Sequence, residues 1–338
     1  MKPLINFGQK FNINFFAVRR IAFLFSIILI SGSTFLFFKK NLNFGIDFIG
    51  GIMIDVKFNA EPNLNILRND IGSLNLGNFE IQEFGNSKNI LIRVEKQKGD
   101  ESNQLVAIEK VKEILPGNVD YRRIEYVGPK VGQELKIMGF KAVIFSLLAM
   151  FAYIWFRFSG WQFGLGAVIA VVHDVFSTIG FFSLTQLEFN LASIAAILTI
   201  AGYSINDTVV VFDRIRENIN KRNKTSFNDL LNISVNETLS RTIVTSLTTL
   251  IALTALLALG GEVIKGFVIA MIWGVFIGTY SSIFIASPLI AILGFKNYLK
   301  ENVENNIYIE SYWKSFLRNR LSFGVNNNLN SVKIEGTN

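Results

Sequence analysis

Cysteine is absent from the 338 residues, and histidine occurs once, at His173. The first absence excludes disulfides, thiolate metal sites and cysteine nucleophiles, and the second argues against a His-based metal centre. Charged residues are scarce at 17%, and no phosphate-binding loop ending in Gly-Lys-Ser/Thr, metal cluster or nucleophile triad occurs, so nothing points to a soluble enzyme. The net charge of +7 and pI of 9.4 would suit a nucleic-acid binder, yet no basic patch interleaved with aromatics accompanies them. Neither a cofactor nor a nucleic-acid partner is expected. What the chain has in abundance is apolar: 50% hydrophobic residues and a mean hydropathy of +0.38, gathered into runs as in a membrane protein.

Residues 1–20 carry Lys2, Lys10, Arg19 and Arg20 without an acid, ahead of an apolar run at 21–38 that ends in Phe-Phe-Lys-Lys. A cleaved signal would have a shorter apolar core and a small-residue cleavage site. The run therefore reads as a retained first span that starts in the cytoplasm. Residues 39–131 have the composition of a soluble, periplasmic domain. Ile52, Ile54, Val56 and Phe58 alternate as a strand face, and Pro62 suits a first helical turn before Leu64, Leu67, Ile71 and Leu74 at helical spacing. Segments 79–83 and 90–94 flank Gly85-Asn86-Ser87-Lys88, a hairpin signal. Leu105, Ile108, Val111 and Leu115 mark a second helix, which Pro116-Gly117 stops before a strand at 119–127. The order βαββαβ predicts a ferredoxin-like domain. At its flanks Gly45, Asp47, Gly50, Gly51, Gly128, Pro129 and Gly132 suggest a hinge with tight turns or close backbone approach, or else simple connections.

Residues 137–292 predict a bundle of five further spans, at 137–156, 162–184, 191–214, 242–259 and beyond Lys265, with a basic cytoplasmic loop at 214–241. Within that loop, 227–239 could form an amphipathic helix along the interface. A polar cytoplasmic tail at 295–338 reads as disordered. In the third span Asp174 follows Gly166 and Ala170 on one face and is expected to line a polar interior, while His173 points elsewhere, as a packed neutral side chain or a proton relay. Arg241 opens the fifth span, where spacing alone makes it a snorkelling anchor. Gly266, Ala270, Gly274 and Gly278 recur at every fourth position of the sixth, a ridge for close helix packing.

The stretch at 191–217 organises the rest. Asn206 and Asp207 fall before its apolar run has ended, and Asp213 and Arg214 fall where it stops. An ionisable side chain near the centre of a membrane helix costs about 2.5–3.5 kcal/mol and by default marks a path for ions or protons. The plainer alternative is an interhelical hydrogen bond, contributing about 0.6–2 kcal/mol. Tyr203 and Ser204 share Asp207's face, whereas Arg214 lies roughly 10 Å along the helix, too far for direct contact. Asp213 and Arg214 therefore suit helix-end and orientation roles.

GIDFIGG at 45–51, VGPKVGQEL at 127–135, HDV at 173–175, GYSINDTVVVFDRIREN at 202–218 and SRTIVTSLTTL at 240–250 together resemble the SecF family of bacterial protein-export membrane subunits, relatives of the resistance-nodulation-division transporters. The resemblance implies six transmembrane helices in a half-bundle of that type, plus the ferredoxin-like periplasmic domain. It also implies pairing with SecD and association with the Sec translocon in the bacterial inner membrane. Both termini would be cytoplasmic, and preprotein would be drawn across at the expense of the proton gradient, with protons as the coupling ion. The Asp of the INDT motif and the Arg of the SRTIV motif, implicated in proton conduction in that family, match Asp207 and Arg241, with Asn206 and Thr208 beside the aspartate. On that footing Asp207 could load a proton, Arg241 would favour its ionised form, and loading would shift helix packing and move the domain at 39–131. A proton-driven small-molecule exporter half-unit and a non-transducing scaffold of the translocon remain as alternatives.

Overall fold

Six helices long and apolar enough to cross a membrane dominate the computed structural model, which describes residues 12–99, 101–158, 160–222, 225–261 and 264–293. The chain divides into two units, residues 1–288 and 289–338, and only residues 289–293 of the second are described. The tail expected at 295–338 lies outside the described residues, as do Lys2 and Lys10.

Helix α1 (Arg19–Lys40) ends on Lys39 and Lys40, cations where the helix dipole is negative. A short helix α2 (Ile46–Ile49) leads into β1 (Gly51–Lys57), α3 (Leu64–Ser73), β2 (Phe79–Phe84), β3 (Asn86–Val94), α4 (Glu101–Ile114) and β4 (Asp120–Val127). The strands lie in the order β2-β3-β1-β4 and every neighbouring pair is antiparallel, the split βαβ of a ferredoxin-like domain. Its core follows from period two in the strands and 3.6 in the helices. Ile52, Ile54, Val56, Ile90, Ile92 and Val94 bury one sheet face against Leu67 and Ile71 of α3 and Ile108 and Val111 of α4.

Two local expectations change. Pro62 stands outside α3, because Asn63 is the cap residue and its side chain accepts from the amides of Asn65 and Ile66. The hairpin turns at Gly85 alone (φ 82), since Asn86, Ser87 and Lys88 already belong to β3.

The remaining spans are α5 (Pro129–Phe158), α6 (Trp161–Thr185), α7 (Leu191–Lys221), α8 (Phe227–Leu259) and α9 (Lys265–Ser281), followed by a π-helical turn (Ser282–Ala286) and α10 (Ser287–Ile292). The segment 214–241 is not an open loop. Helices α7 and α8 run through it, so the expected interfacial helix at 227–239 is the beginning of α8. Charge does not end a helix, and here the polar ends are held together. Asn218 Nδ2 donates to Ser234 Oγ at 3.0 Å and to Glu237 Oε2 at 2.7 Å, and Ser226 caps α8 through the amide of Asp229. The chain before α1 joins this extension, with the amides of Ile13 and Phe15 donating to Asn236 Oδ1 at 2.8 Å and Asn232 Oδ1 at 2.9 Å.

The other sheet face rests on the bundle. Arg93 of β3 reaches Glu188, in the turn between α6 and α7, at 3.3 Å, with side chains only 8% and 10% exposed, and its Nη1 donates to Asn43 Oδ1 at 3.1 Å. The amide of Gly45 donates to the carbonyl of Phe189 at 2.8 Å, and that of Phe189 to the carbonyl of Asn43 at 2.7 Å. Asp47 Oδ2 accepts from the amide of Leu191 at 2.9 Å, one of the orphan donors in the first turn of α7. Among the glycines flagged by sequence, Gly51 (φ 119) takes a backbone conformation that disfavours a side chain, and a Cβ there would lie 2.7 Å from the carbonyl oxygen of Val94. Gly128 joins β4 to α5. Gly132 lies inside α5, where a Cβ would lie 3.1 Å from the backbone of Asp47 and Phe48. It serves close approach rather than a turn.

Candidate functional site

Helices α6, α7 and α9 meet at Asp174, which is 0% exposed. Its Oδ1 lies 2.9 Å from His173 Nδ1, and its Oδ2 accepts from Ser204 Oγ of α7 at 2.6 Å and Ser281 Oγ of α9 at 2.7 Å. The small-residue ridge makes this meeting possible. A Cβ at Gly278 would lie 3.2 Å from that of Ser204, and one at Gly274 would collide with Ile200, so α9 sits close enough to α7 for two serines to share one oxygen. Ala270 is also buried, while Gly266 has open space around it. Directly after Ser281 the helix widens into its π-helical turn, where Ser287 Oγ donates to the carbonyl of Ser282 at 2.9 Å. Turns of this kind recur at functional sites.

His173 does not point away from this centre, contrary to what neighbouring positions on a helix suggest, since its Nδ1 turns back to Asp174. Its Nε2 is buried without a hydrogen-bond partner among the described residues. The ring lies 6.1 Å from that of Tyr280, whose hydroxyl donates to the carbonyl of Ala22 at 2.6 Å and meets Ser26 at 2.9 Å, tying α1 to the cluster.

Asp207 lies one turn along α7 from Ser204 and is 2% exposed. Its Oδ2 and the hydroxyl of the adjacent Thr208 are buried and unpartnered among the described residues. Arg241 is exposed and forms no ion pair with Asp207 among the described residues. Tyr203 turns to α8, donating to Ser246 Oγ at 3.3 Å, and Ser246 meets Thr279 Oγ1 at 2.8 Å. Asn206 is exposed. Asp213 pairs with Arg157 at 3.5 Å on the surface, and Arg214 pairs with Glu237 at 3.2 Å and with Glu217. Those two residues sit away from the buried centre, on the α7–α8 extension.

The structure therefore groups Asp174, Ser204 and the unforeseen Ser281 directly, with Asp207 and Thr208 one turn away. The signal for Ser281 was present as Thr279-Tyr280-Ser281-Ser282, a polar run inside an apolar span. No group of three His, Cys, Asp or Glu side chains able to hold a metal occurs among the described residues. Chemically, the site offers one buried carboxylate with both oxygens engaged and a second with an oxygen unpartnered among the described residues.

Comparison with known proteins agrees with this architecture. The family described as Protein export membrane protein SecD/SecF, C-terminal matches residues 106–296, and the SecD/SecF GG Motif matches residues 35–61. The chain is similar to the Protein translocase subunit SecF of Rickettsia bellii, at 44% identity over 302 residues, covering 88% of this chain and 99% of the relative. The corresponding subunit of Rickettsia felis is 43% identical over 306 residues, covering 89% and 98%. Among solved structures, SecDF of Thermus thermophilus, a translocon-associated membrane protein, matches with a TM-score of 0.76 and 35% identity over 87% of this chain. This chain spans 40% of that SecDF chain. The chain belongs to the SecF family of protein translocase subunits.

Proposed function

We propose that this chain pairs with a SecD subunit beside the Sec translocon of a bacterial inner membrane and uses the proton gradient to promote preprotein translocation. Its soluble domain would face the periplasm and both termini the cytoplasm. What supports this is one continuous helix that touches both the soluble domain and the buried carboxylates. Asp47, at the foot of the soluble domain, accepts from the Leu191 amide in the first turn of α7, and the same 31-residue helix carries Ser204, bound to Asp174, and Asp207, with an oxygen unpartnered among the described residues. A change in charge at Asp207 would alter its attraction to Arg241, and α7 would carry any shift to the domain. Movement of one charge through the field is worth about 2.3 kcal/mol per 100 mV, enough to bias a two-state equilibrium some fifty-fold.

Pairing is supported by what α7 and α8 leave exposed. On α7 the exposed positions Ala195, Thr199, Gly202 and Asn206 form a small and polar stripe, and on α8 Arg241, Thr248, Ala252 and Ala255 form another. Small and polar residues favour helix association over lipid. The test is Asp207→Asn in cells. The reading predicts loss of the gradient-dependent part of preprotein export at normal protein levels. Unchanged export would leave a non-transducing scaffold as the function.

A further inference from the structure

Between α5, α6 and the start of α7 lies an almost wholly apolar crevice of about 460 Å³, within the range of roughly 300–1,000 Å³ of sites that take one small ligand. Phe140, Ile144 and Leu147 line it from α5, and Phe176 and Ile179 from α6. Phe140, Ile144 and Phe176 are exposed at the rim, so the crevice opens sideways, where the bilayer lies. At the end nearest the soluble domain the Phe44, Phe48 and Phe189 rings close it, with centroids 5.9 Å apart. Lys136 stands at that end, its Nζ 4.2 Å from the Phe44 ring centroid. Among the described residues Lys136 is exposed and has no anionic partner.

We infer that this crevice binds a phospholipid of the leaflet on the soluble-domain side, with the phosphate at Lys136 and one acyl chain lying along α5. Length supports that occupant, because the path from Lys136 to Leu147 covers roughly 16 Å at about 1.5 Å per residue. One leaflet contributes about half of the roughly 30 Å hydrocarbon thickness, so the chain and the groove match. Charge supports it as well. A lysine at the membrane surface attracts anionic headgroups, and Lys136 is held over an aromatic face rather than neutralised by a carboxylate. The lipid headgroup would then sit beside Phe44 and Phe189, in the turns on which the soluble domain rests. The inference requires only that the bundle lies in a bilayer, and stands apart from the proton-coupled reading.

Native mass spectrometry of the full chain, titrated with phosphatidylglycerol and with diacylglycerol of the same acyl chains, tests it. Phosphatidylglycerol should be retained by the wild type in preference to diacylglycerol. Lys136→Gln should weaken its retention about fivefold, the worth of one lysine near an anionic surface, while leaving diacylglycerol unaffected. Ile144→Trp, a rim position that leaves the helix packing alone, should fill the groove and reduce retention of both. Lys141→Gln, an exposed lysine of the same helix outside the lining, should change neither. Equal retention of phosphatidylglycerol and diacylglycerol, or insensitivity to both Lys136→Gln and Ile144→Trp, would overturn the inference. So would loss of the lipid on adding the SecD subunit, which would assign the groove to a partner helix.

Discussion

Replacing Ser204 and Ser281 by alanine, singly and together, tests whether α7 and α9 are locked through one carboxylate oxygen. Both hydroxyls donate to Asp174 Oδ2, at 2.6 and 2.7 Å, in a site with no exposure. A hydrogen bond to a charged group contributes about 1.5–3 kcal/mol, and one between neutral groups about 0.5–1.5 kcal/mol. Each single variant should therefore lose about 1.5–3 kcal/mol if Asp174 is ionised, because the other serine still satisfies the oxygen. The double variant leaves that oxygen without either hydroxyl and should lose more than the sum, with a coupling of about 0.5–3 kcal/mol. Unfolding in detergent, with all three variants and the wild type forming a cycle, reads these values directly. Losses that simply add, each below about 0.5 kcal/mol, would mean that the two hydroxyls do not lock α7 to α9. Single losses nearer 1 kcal/mol with coupling intact would instead report a protonated Asp174.

Two further outcomes follow from the same geometry. Gly274→Ala forces a methyl into Ile200 and should cost about 1–3 kcal/mol by overpacking, whereas Gly266→Ala meets nothing within 4 Å and should be neutral or slightly stabilising in the same unfolding assay. Asp47→Ala removes an acceptor of the Leu191 amide, beside the Asn190–Ser193 capping box of α7, a hydrogen bond to a charged group worth about 1.5–3 kcal/mol. Hydrogen exchange at Leu191 should accelerate about tenfold or more and return toward wild type in Asp47→Asn; an unchanged rate would mean that Asp47 adds nothing to the start of α7.

The spans and the βαββαβ domain were legible because each rests on a periodic pattern: apolar runs for the helices, and alternation at Ile52, Ile54 and Val56 for the sheet. What was hidden depends on partners distant in sequence. The segment at 227–239 showed its apolar spacing, but its continuity with the fifth span and the contacts of Asn218 with Ser234 and Glu237 depend on how α7 and α8 lie side by side. The turn of His173 onto Asp174 is a rotamer, which spacing does not encode. The glycine ridge was readable as packing, yet its consequence, Ser204 and Ser281 on one oxygen, required knowing that α9 lies against α7. Asp207 is buried, as its place inside an apolar run suggested, and no ion pair joins it to Arg241 among the described residues.

If Asp207 loads protons as proposed, protons should cross the membrane through the complex and fail to do so without its carboxylate. Proton flux into liposomes holding the full chain with its SecD partner, driven by an imposed pH gradient and membrane potential, measures it most directly. Flux in the wild type should fall to the level of empty liposomes in Asp207→Asn, with the complex still assembled. Flux through Asp207→Asn equal to that of the wild type would contradict the proposal.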